Sequence, residues 1–343
     1  MSGKRQEASI VDYSKGYSAS YYAERVDPGT WRDVGVIRLT GGTIKRETTG
    51  KRQSADIGCV NYHIDVEQWI RVYLDIQQDG ASAHVPLFTG LATSPDDDIN
   101  GTYVVNALTC FSVLKPAEDV LLPRGWYAAR GMNGAELIRS LLSVSPAPVV
   151  IEGSPPVLSE AIIAEDGESN LSMTDRILDA MGWRLRIEGD GTVIITSAAT
   201  DPVVRFDPID NDVIESKIKV TADWYSCPNV FMAVAGDVTG IARDDDPESP
   251  LSVISRGREV WKKESCTLAA NESVAEYARR KLREAQRVRQ TVSYTRRYIP
   301  EVMPGDIIGM NYPEQGLTGN YGVQSQSIAL GYGARTAELI YKE

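Results

Sequence analysis

A chain of 343 residues with 42% hydrophobic and 24% charged residues has ordinary globular composition and room for two or more domains, which excludes wholesale disorder. A formal net charge of -11 argues against a general nucleic-acid binder, which would carry a basic surface. No stretch approaches the roughly 18 uninterrupted apolar residues of a membrane helix, so no membrane insertion is expected, and the polar start from Met1 to Gly16 gives no sign of a signal peptide.

Residues 1–30 are expected to form an N-terminal extension. From Trp31 to Lys45, Val34, Val36, Ile37 and Leu39 signal a strand that Gly41-Gly42 is expected to end as a turn. In WIRVYLDI, Ile70, Val72, Leu74 and Ile76 alternate with polar or larger residues, the period of a strand with one buried face. A hairpin break follows around Gly80. Further strands are expected at Leu87–Leu91 and Tyr103–Val105, separated by an acidic loop at Asp96, Asp97 and Asp98. Short strands at this spacing point to a first β-barrel domain over 31–130.

The middle, 131–212, reads differently. NGAELIRSLLSV (133–144) is a short amphipathic helix with Leu137, Ile138, Leu141 and Leu142 inward. Ser145 to Pro156 carries four prolines and is expected to be a linker or extended connection. Ser172 and Asp175 have capping-box spacing ahead of Met173, Ile177, Leu178 and Met181, and Gly182 suits the helix end. Trp183–Ile187 and Thr192–Thr196, joined by Asp190-Gly191, complete a small α+β module.

The last part, 213–343, returns to strands: Val213–Thr221, Val230–Ala235, Gln290–Tyr298, Asp306–Asn311, Tyr321–Ile328 and Arg335–Tyr341, with an acidic loop at Asp244–Pro250. The segment 276–297 holds eight Arg or Lys against two Glu. Asn271 is a candidate cap, Ser273 and Glu276 make a capping box, and Val274, Ala278, Leu282, Ala285 and Val288 form one apolar stripe. Its arginines then fall on the opposite, wet face. A faint echo links Gly101-Thr102-Tyr103-Val104-Val105 with Gly319-Asn320-Tyr321-Gly322-Val323. The whole is expected to be mainly β, with two β-barrels flanking the α+β module.

No catalytic, cofactor or metal site emerges. Cys59, Cys110, Cys227 and Cys266 are scattered, and His63 and His84 are the only histidines, whereas a structural zinc site takes about four clustered ligands. GxSxG, HExxH, Walker and GxGxxG motifs are absent. Asp207, Asp210 and Asp212 resemble a calcium loop only until the twelfth place, where Ile218 replaces the acid.

The C-terminal stretch carries a family resemblance. AEYARRKLREAQRVRQ followed by a strand, then Pro300, Met303-Pro304-Gly305-Asp306, Tyr321 and Val323, resembles the closing barrel of phage tail and baseplate hub proteins. These include the late-control-protein type and the base of type VI secretion spikes. Phe88-Thr89-Gly90-Leu91, Trp126-Tyr127 and Asn229-Val230 fit the same order. The resemblance implies a non-enzymatic homotrimer at the virion tail tip, assembled in the host cytoplasm. There it would join a six-fold tail tube or distal tail ring to a three-fold spike or fibre, beside the tape-measure protein, with DNA only passing through the lumen. It also implies a structural turn at Pro304, Gly305 and Asp306. Charge opposition makes Arg279, Arg280, Arg283 and Arg287 candidates for a subunit contact, since a chain of charge -11 repels its copies unless basic faces meet acidic ones. The acidic runs Asp96–Asp98 and Asp244–Asp246 are expected to be mobile. The alternative is a receptor- or carbohydrate-binding β protein using Trp69, Trp126, Trp224 or Trp261, with core burial the commoner fate of tryptophan. A glycosidase is a further, weaker alternative, since its two carboxylates have no motif here.

Overall fold

The computed structural model describes residues 11–50, 52–62, 64–100, 103–208, 213–266, 268, 272–287, 290–331 and 334–343, with backbone alone over 94–100 and 103–105. The fold is mainly β.

The first unit contains β1 (Ser18–Asp27), β2 (Arg32–Ile37), β3 (Leu39–Glu47), β4 (Gln53–Val60), β5 (Gln68–Gln78), β6 (Ala81–Asn100) and β7 (Tyr103–Ser112). They lie in the order β3-β4-β7-β6-β5-β1-β2, every neighbour antiparallel. The period-2 pattern of β5 works as its sequence implies: Ile70, Val72, Leu74 and Ile76 are all fully buried, with Ile44, Ile57, Leu87, Phe88 and Leu108. Each such side chain contributes about 1.5–3 kcal/mol by leaving water. The expected N-terminal extension instead supplies β1, which pairs with β5 from Ser18 to Val26. Gly41-Gly42 is no turn; both residues lie inside β3, where the ladder shifts register. Nor are Asp96–Asp98 a loop, because β6 runs on through them, paired with β7 to Asn100.

The middle unit follows: α1 (Lys115–Asp119), β8 (Tyr127–Ala128), α2 (Gly134–Leu142), β9 (Val149–Ile151), β10 (Ile162–Ile163), α3 (Asn170–Met181), β11 (Trp183–Ile187) and β12 (Val193–Ser197). Asn133 caps α2 by accepting from the amides of Ala135 and Glu136. Ile138 and Leu142 pack on Met173 and Ile177 of α3, above the three-stranded sheet β11-β12-β9. The proline-rich connection thus carries a strand of its own. Ser169, three residues before the expected cap, closes the start of α3 by accepting from the Ser172 amide. Ser preceding Asn-Leu suits a cap as well as Ser172 does, and spacing alone does not separate them.

The last unit contains β13 (Pro202–Phe206), β14 (Lys219–Ala222), β15 (Val230–Ala235), β16 (Val238–Arg243), α4 (Val253–Arg256), β17 (Trp261–Ser265), α5 (Val274–Arg287), β18 (Gln290–Arg296), β19 (Ile307–Tyr312), β20 (Leu317–Ala329) and β21 (Thr336–Lys342). The sheet β16-β15-β17 packs through Phe231, Ala233 and Ala242 on the buried side of α5. The other strands take the order β14-β18-β21-β20-β19-β13. β14 is shorter than the expected strand from Val213, with only an isolated bridge from Ile214 to Arg296 upstream of it.

The two β units share one strand order. Counted by appearance, β1, β3, β4, β5, β6 and β7 stand in the order second, third, sixth, fifth, fourth, first, and so do β13, β14, β18, β19, β20 and β21. The units differ in that β2 is added to β1, that β15 to α5 are inserted, and that β13 pairs parallel with β19 where β1 pairs antiparallel with β5. The pentapeptide echo does not trace this repeat, because Tyr103 opens β7 whereas Tyr321 lies in β20, the counterpart of β6. β20 also pairs with β3, from Ser325 opposite Glu47 to Ala329 opposite Thr43, and this joint merges both units into one 13-stranded sheet. Among the described residues the strand order does not close on itself as either expected barrel would.

Candidate assembly surfaces

The basic helix is amphipathic for a plain reason: Val274, Tyr277, Ala278 and Leu282 recur every three or four residues and are buried. Ser273 and Glu276 form the expected capping box, the Ser273 amide donating to Glu276 Oε2 at 2.8 Å and the Glu276 amide to Ser273 Oγ at 3.3 Å. Asn271 and Val288 lie outside the described residues. The four arginines then part company. Arg280 turns inward along the protein surface, 2.8 Å from Glu272, 3.2 Å from Glu284 and 3.6 Å from Asp179, with its guanidinium over the Tyr277 ring. These partners, the Glu272 hydrogen bond first, hold its proton above the ordinary arginine range. Arg287 pairs with Glu343 at 3.2 Å. Arg279 and Arg283 remain exposed toward solvent.

Asp179 of α3 is where α5 docks on the middle unit. Lys281 lies 2.7 Å from its Oδ1, and the buried Tyr277 hydroxyl lies 3.1 Å from its Oδ2 and 2.9 Å from Glu264 Oε1, with one proton to share between them. Burial pushes the Tyr277 hydroxyl well above its usual value, and the two carboxylates push it further. Burial lowers Lys281, but Asp179, together with Glu284 and Glu264, outweighs it and the net shift is upward.

Pro304-Gly305-Asp306 is a turn, as its chemistry implies. Gly305 has φ +88°, a backbone shape that suits glycine, and Asp306 Oδ2 accepts from the Met303 amide at 3.0 Å. The turn also grips the middle unit: Arg184 of β11 lies 3.1 Å from Asp306 Oδ1 and donates to the Gly305 carbonyl. Sequence spacing gives no hint of this contact across 122 residues.

The hairpin between β11 and β12 docks on the first unit. Thr89 donates to the Gly189 carbonyl at 2.8 Å, while Arg71 and Trp31 both donate to the Asp190 carbonyl. Arg71 also pairs with Asp33 at 2.8 Å. A side chain at Gly189 would meet the Pro86 carbonyl oxygen at 1.8 Å, so only glycine fits this approach. The middle unit is therefore keyed to both β units.

Cys59, Cys110 and Cys227 are buried thiols and Cys266 is half-buried; burial raises the Cys110 and Cys266 thiols. His84 stacks on Tyr73 and sits 2.6 Å from Asp75 on the surface. His63, Asp210 and Asp212 lie outside the described residues. Among the described residues no group of three His, Cys, Asp or Glu is placed to hold a metal. No described helix is long and apolar enough to cross a membrane. In the acidic run 244–246, Asp244 Oδ2 accepts from Ser249 Oγ at 2.7 Å and from Gln286 Nε2 at 2.9 Å. Trp69 and Trp126 are partly buried, whereas Trp224 is 67% and Trp261 49% exposed, against the expectation of core burial.

No protein-family model matches the sequence and no curated protein matches it closely enough to count. Solved structures do match. A tail protein from Neisseria meningitidis MC58 superposes with TM-score 0.70 at 17% identity, over 96% of this chain and 97% of that one. The 43 kDa tail protein of prophage MuSo2 from Shewanella oneidensis gives 0.66 at 14% identity, over 95% and 98%. A chain of the Francisella PdpA-VgrG complex gives 0.56 at 6% identity, over 96% of this chain but 53% of that one. Across nearly its whole length, the chain has the fold of phage tail proteins.

Proposed function

We propose that the chain is a structural, non-enzymatic subunit of a phage-type tail tip, three copies of which form a hub ring. The observation that carries this is the repeated strand order: two alike units per chain give six in a trimer, which is what joining a six-fold tube to a three-fold spike requires. The fold it shares with tail proteins and with a chain of a VgrG complex supports the same role. The partners would be a tail tube or distal tail protein on one side and a spike or fibre on the other. The tape-measure protein and passing DNA would occupy the lumen, at the virion tail tip after assembly in the host cytoplasm. Of the four candidate arginines of α5, Arg279 and Arg283 are the two without an acidic partner within the chain among the described residues, and they would meet a neighbouring copy. Counting copies per purified tail with isotope-labelled reference peptides tests this: three supports the hub, and two or six contradicts it.

A second reading, a receptor- or carbohydrate-binding β protein, draws on Trp224 and Tyr225, adjacent and 67% and 80% exposed. Glycan binding abolished by Trp224→Ala would favour it.

A further inference from the structure

The joint between the two β units has an unfilled counterpart on the same chain. β20 is long because it serves two partners along one edge: residues 317–322 pair with β19, and 325–329 pair with β3. β6 is built the same way. Residues 81–92 pair with β5, while the rest of the strand runs on to Asn100 with β7 on its other edge. Along the β5 edge, 93–100 has no partner strand among the described residues. β14, the counterpart of β3, likewise ends the sheet with one edge unpaired. All four of its residues are exposed, Val220 by 46%. An unpaired edge ending in an exposed β-branched residue is a template for another chain.

We infer that β6 of one copy pairs antiparallel with β14 of the next, repeating between chains the joint that β20 and β3 make within one. The pairing rests on the hub ring proposed above and specifies how it closes. Such a head-to-tail contact, used again by every unit, generates a ring when its rotation closes.

The register follows from matching strands by place and by core-facing residues. Ile308 corresponds to Ile70, Ile340 to Cys110 and Val292 to Ala55, all buried. Val220, opposite Val292, then takes the place of Ile44, opposite Ala55. Asp97, opposite Asn106, takes the place of Ile328, opposite Thr336. Within the chain Ile328 faces Ile44, so Asp97 faces Val220 of the neighbour. One step along, where Ala329 faces Thr43, Asp98 faces Lys219. The acidic run of β6 is thereby set against a strand bearing Lys219 and preceded by Lys217. Opposite charges directly across a ladder stabilise it, and like charges oppose it.

The test is a pair of cysteines, Asp97→Cys with Val220→Cys, in a Cys266→Ser background, oxidised in assembled tails or concentrated protein. Directly opposite residues of an antiparallel pair lie about 4.5–5.5 Å apart, within disulfide reach. Covalent dimers and trimers are expected. Pro95→Cys with Lys219→Cys, three residues out of register, is expected to give none. Equal cross-linking in both, or none in the first while wild-type copies still number three, overturns the strand pairing and leaves the hub standing. A wild-type chain that forms no trimer in tails overturns both. Lys219→Glu serves as a second arm independent of thiols. It is expected to weaken each joint about three- to tenfold, with Asp98→Lys restoring assembly in the double variant. A double variant no better than the single one contradicts the register.

Discussion

Truncating Glu338 strikes the most completely buried charge pair in the second β unit. Glu338 of β21 and Arg296 of β18 have side chains with 0% exposure and approach to 2.5 Å. The carboxylate also accepts from Arg296 Nε at 2.9 Å, Tyr294 Oη at 2.5 Å and Gln326 Nε2 at 2.7 Å. Gln326 stands opposite Arg46 in the joint with the first unit, so the network lies directly behind that joint. Glu338→Ala leaves the arginine buried without its counter-charge, which costs about 3–5 kcal/mol. At an unfolding entropy of about 2.1 cal/mol/K per residue, that lowers the melting point of a 343-residue chain by about 4–7 °C. Replacing both residues, Arg296→Met with Glu338→Met, is expected to recover only part of the loss, because the charges leave together while the Tyr294 hydroxyl and the Gln326 amide still lose their acceptor. Thermal unfolding followed by circular dichroism gives the readout. A Glu338→Ala protein melting within about 1 °C of wild type would refute the reasoning, since that is the behaviour of a surface substitution.

Gly189→Ala forces a methyl group against the Pro86 carbonyl and is expected to cost about 1–3 kcal/mol, with faster amide exchange at residues 188–191. Arg279→Glu with Arg283→Glu is expected to weaken assembly and its salt dependence at an unchanged melting point, whereas Arg280→Glu alone lowers the melting point by setting a carboxylate beside Glu272 and Asp179. At high pH the tyrosines govern. Burial first, then the Asp33 hydrogen bond for Tyr73 and the Glu343 charge for Tyr341, push both hydroxyls up to about 12. Unfolded tyrosines ionise near about 10, so this stabilisation is complete below that pH and is lost as pH rises toward 12. Tyrosinate absorbance is expected to lag model tyrosine and then rise together with unfolding; free titration of all tyrosines near pH 10 in the folded state contradicts it.

Local periodicity carried much of the fold. β5, α2, α5 and the β11–β12 hairpin are legible because one face of each is buried and the pattern says so in a few consecutive residues. β1 was hidden because SASYYAERVD mixes polar residues into a strand covered by neighbours from elsewhere in the chain. Asp96–Asp98 resemble a loop because three aspartates disfavour a strand, yet β7 imposes one by pairing to the end. The turn at Gly305 was visible as Pro-Gly-Asp, but its grip on Arg184 was not, because that contact exists only once distant strands are assembled. Basic residues were legible in α5, although helical geometry alone does not say that Arg280 turns toward Asp179 while Arg279 and Arg283 face solvent.

A reconstruction of the tail tip tests the central claim most directly. The account expects three copies of the chain in a ring of six alike β units, with β6 of each copy beside β14 of the next. A two-fold or six-fold arrangement of the chain, or a single copy, would contradict it.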